Sequence, residues 1–134
     1  MIIPKEHHWD AGRRGESIAL NYLLERHYRL LEKNYRFGRG EIDLIMESPE
    51  KILVFVEVKS NRKILFGSPL ERIDGRKVRQ LQKIAQRYCW QTNQLDREMR
   101  FDVIGIELDA SDASDENRID HIEAAFIPES SGYF

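Results

Sequence analysis

Glu57 and Lys59 stand in and just beyond the most apolar stretch of the chain, Ile52 to Val58, which reads ILVFVEV. If the stretch is a strand, their spacing of two puts both on one face. Ionised groups in a strand covered on both sides lose hydration worth several kcal/mol, so they need charged partners or a metal ion. Asp43 lies fourteen positions before Glu57, and Ser48-Pro49-Glu50-Lys51 reverses the chain between them. An even separation across a hairpin places two residues on the same face, with Cβ atoms roughly 4.5 to 8 Å apart whether they are paired or offset by two.

Two carboxylates that close force one pKa upward unless a divalent cation lies between them. Oxygen ligands with open water positions suit Mg²⁺ or Mn²⁺, so Asp43 and Glu57 are the expected metal ligands. With Lys59 beside such a cation, the chemistry that fits best is phosphodiester hydrolysis. The metal lowers the pKa of a bound water, the lysine stabilises or orients it, and both offset charge on the phosphate. Glu16, at the inward edge of the first helix, is a further catalytic candidate; its alternative is an exposed pair with Arg13 at i−3. For the central trio the alternative is a cross-strand ion-pair network.

These residues need a hairpin whose second arm is buried, and the surrounding pattern supplies one. Ala11, Gly15, Ile18, Ala19, Tyr22 and Leu23 recur at helical spacing and predict a helix from Asp10, as N-cap, to about Arg26. Tyr28 to Arg36 predicts a first strand with imperfect alternation. Phe37-Gly38-Arg39-Gly40 predicts a turn into the strand Glu41 to Met46, with Ile42, Leu44 and Met46 on one face. Ile52 to Val58 then follows as a central strand. A second helix is expected from near Asp74, stapled by Ile73 and Val78, with a core stripe of Val78, Leu81, Ile84, Ala85, Tyr88 and Cys89. Arg100 to Leu108 and Ile119 to Ile127 read as two more strands. The order α, β, β, β, α, β, β predicts an α/β or mixed α+β domain, a central mixed sheet flanked by helices.

Composition bounds the function classes. The 134 residues suit one domain, residues 1–134, with flexible ends expected at 1–9 and 128–134. Apolar residues at 41% are too many for a disordered chain, and charged residues at 33% are too many for a membrane protein. No stretch approaches the ~18 apolar residues of a membrane span, and the N-terminus carries no signal-peptide pattern, so a cytoplasmic location is expected. Cys89 is the single cysteine and falls on the apolar side of the second helix, where a thiol acts as a small hydrophobe. His7, His8, His27 and His121 lack metal-ligand spacing, which argues against zinc.

A net charge of −2 argues against indiscriminate coating of nucleic acid, yet Glu57 to Arg87 holds nine cations against three carboxylates. The acidic stretch DASDASDE from Asp109 reads as a solvated loop. Arg76 and Lys77 on the second helix, Arg62 after the catalytic strand and Arg39 in the turn are candidate contacts to nucleic acid; solvated basic faces also occur without a ligand.

The strings GRRGESIALNYL (Gly12–Leu23), GEIDLI (Gly40–Ile45), VFVEVKSN (Val54–Asn61), FGSP (Phe66–Pro69) and RFDVI (Arg100–Ile104) resemble the YraN family of small bacterial proteins. That family is similar to PD-(D/E)XK nucleases with a restriction-endonuclease-like fold, and among them to Holliday junction resolvases. The resemblance implies metal-binding roles for Asp43 and Glu57, a catalytic role for Lys59 and the helix-borne acid in Glu16. Ile42 stands where the motif's name has proline. Asp102 falls in the RFDVI string, with a catalytic and a structural role both open. The expectation is a Mg²⁺- or Mn²⁺-dependent endonuclease acting on DNA, with branched DNA the implied substrate and a homodimer suited to two-fold junctions. The alternative is a nucleic-acid-binding or partner-recruiting module that keeps the fold without turnover.

Overall fold

The apolar run that held Glu57 lies in the middle of a five-stranded sheet, as its composition demands. The computed structural model describes residues 4–61, 75–108 and 118–126. Its elements are α1 (Pro4–Glu25), β1 (Arg29–Phe37), β2 (Gly40–Glu47), β3 (Leu53–Asn61), α2 (Gly75–Gln91), β4 (Met99–Glu107) and β5 (Arg118–Phe126). The sheet order is β1-β2-β3-β4-β5. β3 and β4 run parallel, with α2 as the crossover between them, and every other neighbouring pair is antiparallel. The fold is therefore mixed α+β, with a central mixed sheet flanked by two helices, consistent with a restriction-endonuclease-like fold.

Alternation along β3 divides its side chains between two cores. Val54 and Val56 pack with Ala19 and Leu23 of α1, and Ile104 and Ile106 of β4 join them. Leu53 and Phe55 pack on the other face with Leu81, Ile84, Ala85, Tyr88 and Cys89 of α2. Burying a side chain such as Phe55 or Leu81 contributes roughly 1.5–3 kcal/mol, which fixes the register of β3 because a slip by one residue would exchange its faces. Two glycines let the helices approach closely. A Cβ on Gly15 would come within 2.6 Å of the Ser60 side chain, and one on Gly40 within 2.6 Å of Ile84 Cδ1.

Several expectations need correction. α1 begins at Pro4, so Asp10 lies inside the helix and is not its N-cap; proline with its missing N–H suits a first turn, and residues 4–9 carry no apolar stripe to announce it. Ile42 does not share a face with Leu44 and Met46. It packs in the α2 core while they pack in the α1 core, so the alternation of β2 breaks at Asp43. The break coincides with Asn34 on the adjoining strand, whose φ of 49° lies in the left-handed region. The imperfect alternation of β1 also has a structural cause, a register shift between Leu30 and Glu32. Asp74, Ile73, the FGSP segment, the acidic stretch 109–116 and the end 128–134 lie outside the described residues. Among the described residues no helix is long and apolar enough to cross a membrane.

Candidate active site

Asp43 sits where two strands part. The β2–β3 ladder pairs Leu44 with Val56 and ends there. One further step would set Asp43 opposite Glu57, but Oδ2 of Asp43 instead accepts the Val58 N–H at 2.8 Å. A side chain has taken a main-chain amide, and the carboxylate is fixed in the opening between the strands. One oxygen each from Glu16, Glu41 and Asp43 lie within 4.8 Å of one another. Asn34 Nδ2 donates to Glu16 Oε1 at 3.1 Å and to Glu41 Oε2 at 2.6 Å, and Arg36 lies 3.4 Å from Glu41 Oε1. The left-handed Asn34 thus joins the helix-borne and strand-borne acids.

The electrostatics follow from this crowding. Burial, and then repulsion from Glu57, push the Asp43 carboxyl up to about 7; the Val58 N–H opposes the shift, and Glu16 and Glu41 add to it. Glu57 itself is almost fully buried and faces α2, as alternation requires. Its Oε2 lies 3.4 Å from Lys59 Nζ and 3.4 Å from Lys77 Nζ, the latter reaching down from the first turn of α2. The donor set is all oxygen, which hard divalent cations prefer, and two ammonium groups stand beside it.

Of the residues singled out in the sequence, the fold gathers Glu16 and Asp43 into one cluster, while Glu57 and Lys59 adjoin it on the α2 side. Glu41 escaped the sequence reading. Its signal was its position two residues before Asp43 on the same short strand. Lys77 meets Glu57 rather than lying on an isolated basic face. Arg39 and Arg76 both border a cavity of about 400 Å³ between the β1–β2 turn and α2. Arg62 lies outside the described residues.

The undecided Asp102 belongs to a different structure. It is completely buried and accepts from Arg100 Nε at 2.9 Å, Arg100 Nη2 at 3.0 Å and the Ala124 N–H at 3.0 Å. His121 Nε2 lies 2.8 Å away, and the other ring nitrogen is 3.2 Å from the Tyr22 hydroxyl. Arg100 also donates to the Tyr28 hydroxyl at 2.7 Å. The network ties β4 to β5 beside their register shift, between Phe101 and Val103, and to α1. Cys89 is fully buried, and burial pushes its thiol up to about 11, far from a reactive thiolate.

The chain has clear relatives. The model of the uncharacterised protein family UPF0102 matches residues 15–106. A UPF0102 protein of Clostridioides difficile is 41% identical over 117 residues, covering 87% of this chain and 96% of its own. One from Flavobacterium psychrophilum is 39% identical over 119 residues, covering 89% and 95%. Among solved structures, Pyrococcus furiosus SfsA in complex with Ca²⁺ aligns at 16% identity with a TM-score of 0.35. That alignment covers 91% of this chain and 64% of SfsA.

Proposed function

The chain belongs to the uncharacterised protein family UPF0102, also called YraN, and from that premise we propose that it is a divalent-cation-dependent endonuclease acting on DNA phosphodiester bonds. The observation that carries this reading is the carboxylate cluster at the parting of β2 and β3, where Asp43 is held against its neighbours' charge. A protein gains no stability from pushing a carboxyl up to about 7, whereas a cation between the acids turns repulsion into attraction. Asp43, Glu16 and Glu41 would hold Mg²⁺ or Mn²⁺, with Glu57 at the margin. The ion, when bound, would activate water and neutralise charge on the phosphate.

The chain's own groups carry the rest. Val58 fixes the rotamer of Asp43, and Asn34 holds Glu16 and Glu41 together, so the ligand oxygens are positioned before a cation arrives. Lys59 places a positive charge beside Glu57, where it would orient the attacking water or offset charge on the phosphate oxygens. In the reaction a water oxygen forms a bond to phosphorus, a P–O bond of the backbone breaks, and the leaving oxygen takes up a proton. The resemblance to PD-(D/E)XK nucleases and junction resolvases makes branched DNA the first substrate to test, and a homodimer would match its two-fold symmetry.

Asp43→Asn keeps the acceptor for Val58 but removes a ligand charge. We expect linear duplex, single-stranded and four-way-junction DNA, assayed with Mn²⁺, to be cut by the parent protein and left intact by this variant. Equal cutting by both would sink the reading. A second reading, a binding module without turnover, draws on the two lysines that already neutralise Glu57. DNA binding with steep salt dependence and no Mn²⁺ site near Asp43 would favour it.

A further inference from the structure

Phe37 ends β1 and Trp90 lies near the end of α2, and both rings face solvent, 44% and 62% exposed. Arg87 stands between them, its guanidinium carbon 5.2 Å from the Phe37 ring centre and 4.9 Å from that of Trp90. Two cavities meet on this face and share Phe37 and Lys83. The first is the one bordered by Arg39 and Arg76, and it also takes in Arg79. The second, about 360 Å³, is bordered by Arg87, Trp90 and Leu95. No carboxylate is among the described residues that line either one.

Arg76, Arg79, Lys83, Arg87 and Trp90 are three or four positions apart, so they form one stripe along α2 with a rise of about 21 Å. The stripe begins beside Lys77, which touches Glu57, and it ends at the exposed indole. A basic stripe alone would suit any polyanion. The interleaved aromatic faces narrow the choice, because a duplex hides its base faces in its own stack while an unpaired strand offers both phosphates and free bases.

We propose that this face binds single-stranded DNA, with phosphates along Arg76, Arg79 and Lys83 and bases stacked on Trp90 and Phe37. The proposal rests on the nuclease reading for the direction of the bound strand, which runs from the stacking platform toward the carboxylate cluster. It makes DNA with an unpaired stretch beside the cleavage point the substrate class.

Binding can be tested apart from cleavage, with EDTA present, by fluorescence anisotropy of a labelled oligo(dT) of roughly twelve nucleotides and a duplex of equal length. The parent protein should bind the oligo(dT) more tightly than the duplex. Trp90→Ala should weaken oligo(dT) binding about tenfold while Trp90→Phe, which keeps a flat ring, retains most of it. Lys83→Ala should weaken both ligands and lower the salt slope by about one. Preference for duplex, or oligo(dT) binding unchanged in both Trp90→Ala and Phe37→Ala, overturns the proposal. So does a Trp90→Ala variant that only converts a dimer to a monomer in sedimentation, since the face would then be a contact between copies. A protein that binds oligo(dT) as expected but never cuts leaves the single-strand-binding face standing and removes the nuclease reading, and with it the direction assigned to the strand.

Discussion

Asp43 on β2 and Asp102 on β4 are moved in opposite directions by one sheet. Burial raises the pKa of both carboxyls, and what differs is the company each keeps. At Asp102 burial is outweighed by His121, by the Arg100 fork and by the Ala124 N–H, which together hold the carboxyl below its ordinary value. At Asp43 burial is reinforced by Glu57, Glu16 and Glu41, with one amide in opposition. A carboxylate whose every neighbour is a donor is structural, because folding has already compensated its charge. A carboxylate surrounded by others stores unfavourable energy that a cation can release, and such conflicts concentrate at functional sites.

The contrast can be broken most forcefully at Asp102. Asp102→Ala removes the buried acceptor shared by the Arg100 guanidinium, the Ala124 N–H and the His121 ring, and we expect a loss of about 3–5 kcal/mol in urea denaturation. A loss under 1 kcal/mol would mean that the network contributes little. Asp43→Asn should act in the opposite sense, stabilising the metal-free protein at pH 8 by about 1–3 kcal/mol by removing the repelled charge. Destabilisation at that pH would contradict the placement of Asp43 among like charges.

The pH dependence sharpens the same comparison. Between an unfolded value near 3.8 and a folded value of about 7, folded Asp43 retains a proton that the unfolded chain has released. Its contribution to stability therefore falls as pH rises from about 4 to 7 and is level above that. Asp102, shifted down, contributes stability that is present above 3.8 and is lost as pH falls through its folded value. Asp43→Asn should thus flatten the stability curve between pH 4 and 7 while leaving the acid limb in place, read from denaturation midpoints across that range. The smallest effect is expected at Asn34. Asn34→Gly keeps the left-handed backbone but removes the amide shared by Glu16 and Glu41, at a cost of about 0.5–1 kcal/mol. A larger change would assign Asn34 a role in the strand break itself.

The sequence by itself determined the order of the elements, the two arms of the hairpin and the shared face of Glu57 and Lys59, because periodicity of two and 3.6 records which side of an element is buried. It also flagged Asp43, since a charge fourteen residues before another across a tight turn has few places to go. Only the tertiary structure decided which charges meet. Glu41 joins Glu16 because Asn34 spans them, Lys77 comes within reach of Glu57 from the first turn of α2, and Asp102 is held by Arg100 of its own strand and by His121 and Ala124 of β5. Trp90 and Phe37 come together in the same way, from the end of a helix and the end of an edge strand. Distances between side chains of different elements depend on how helices cross the sheet and on where a ladder stops, and no local pattern of residues encodes either.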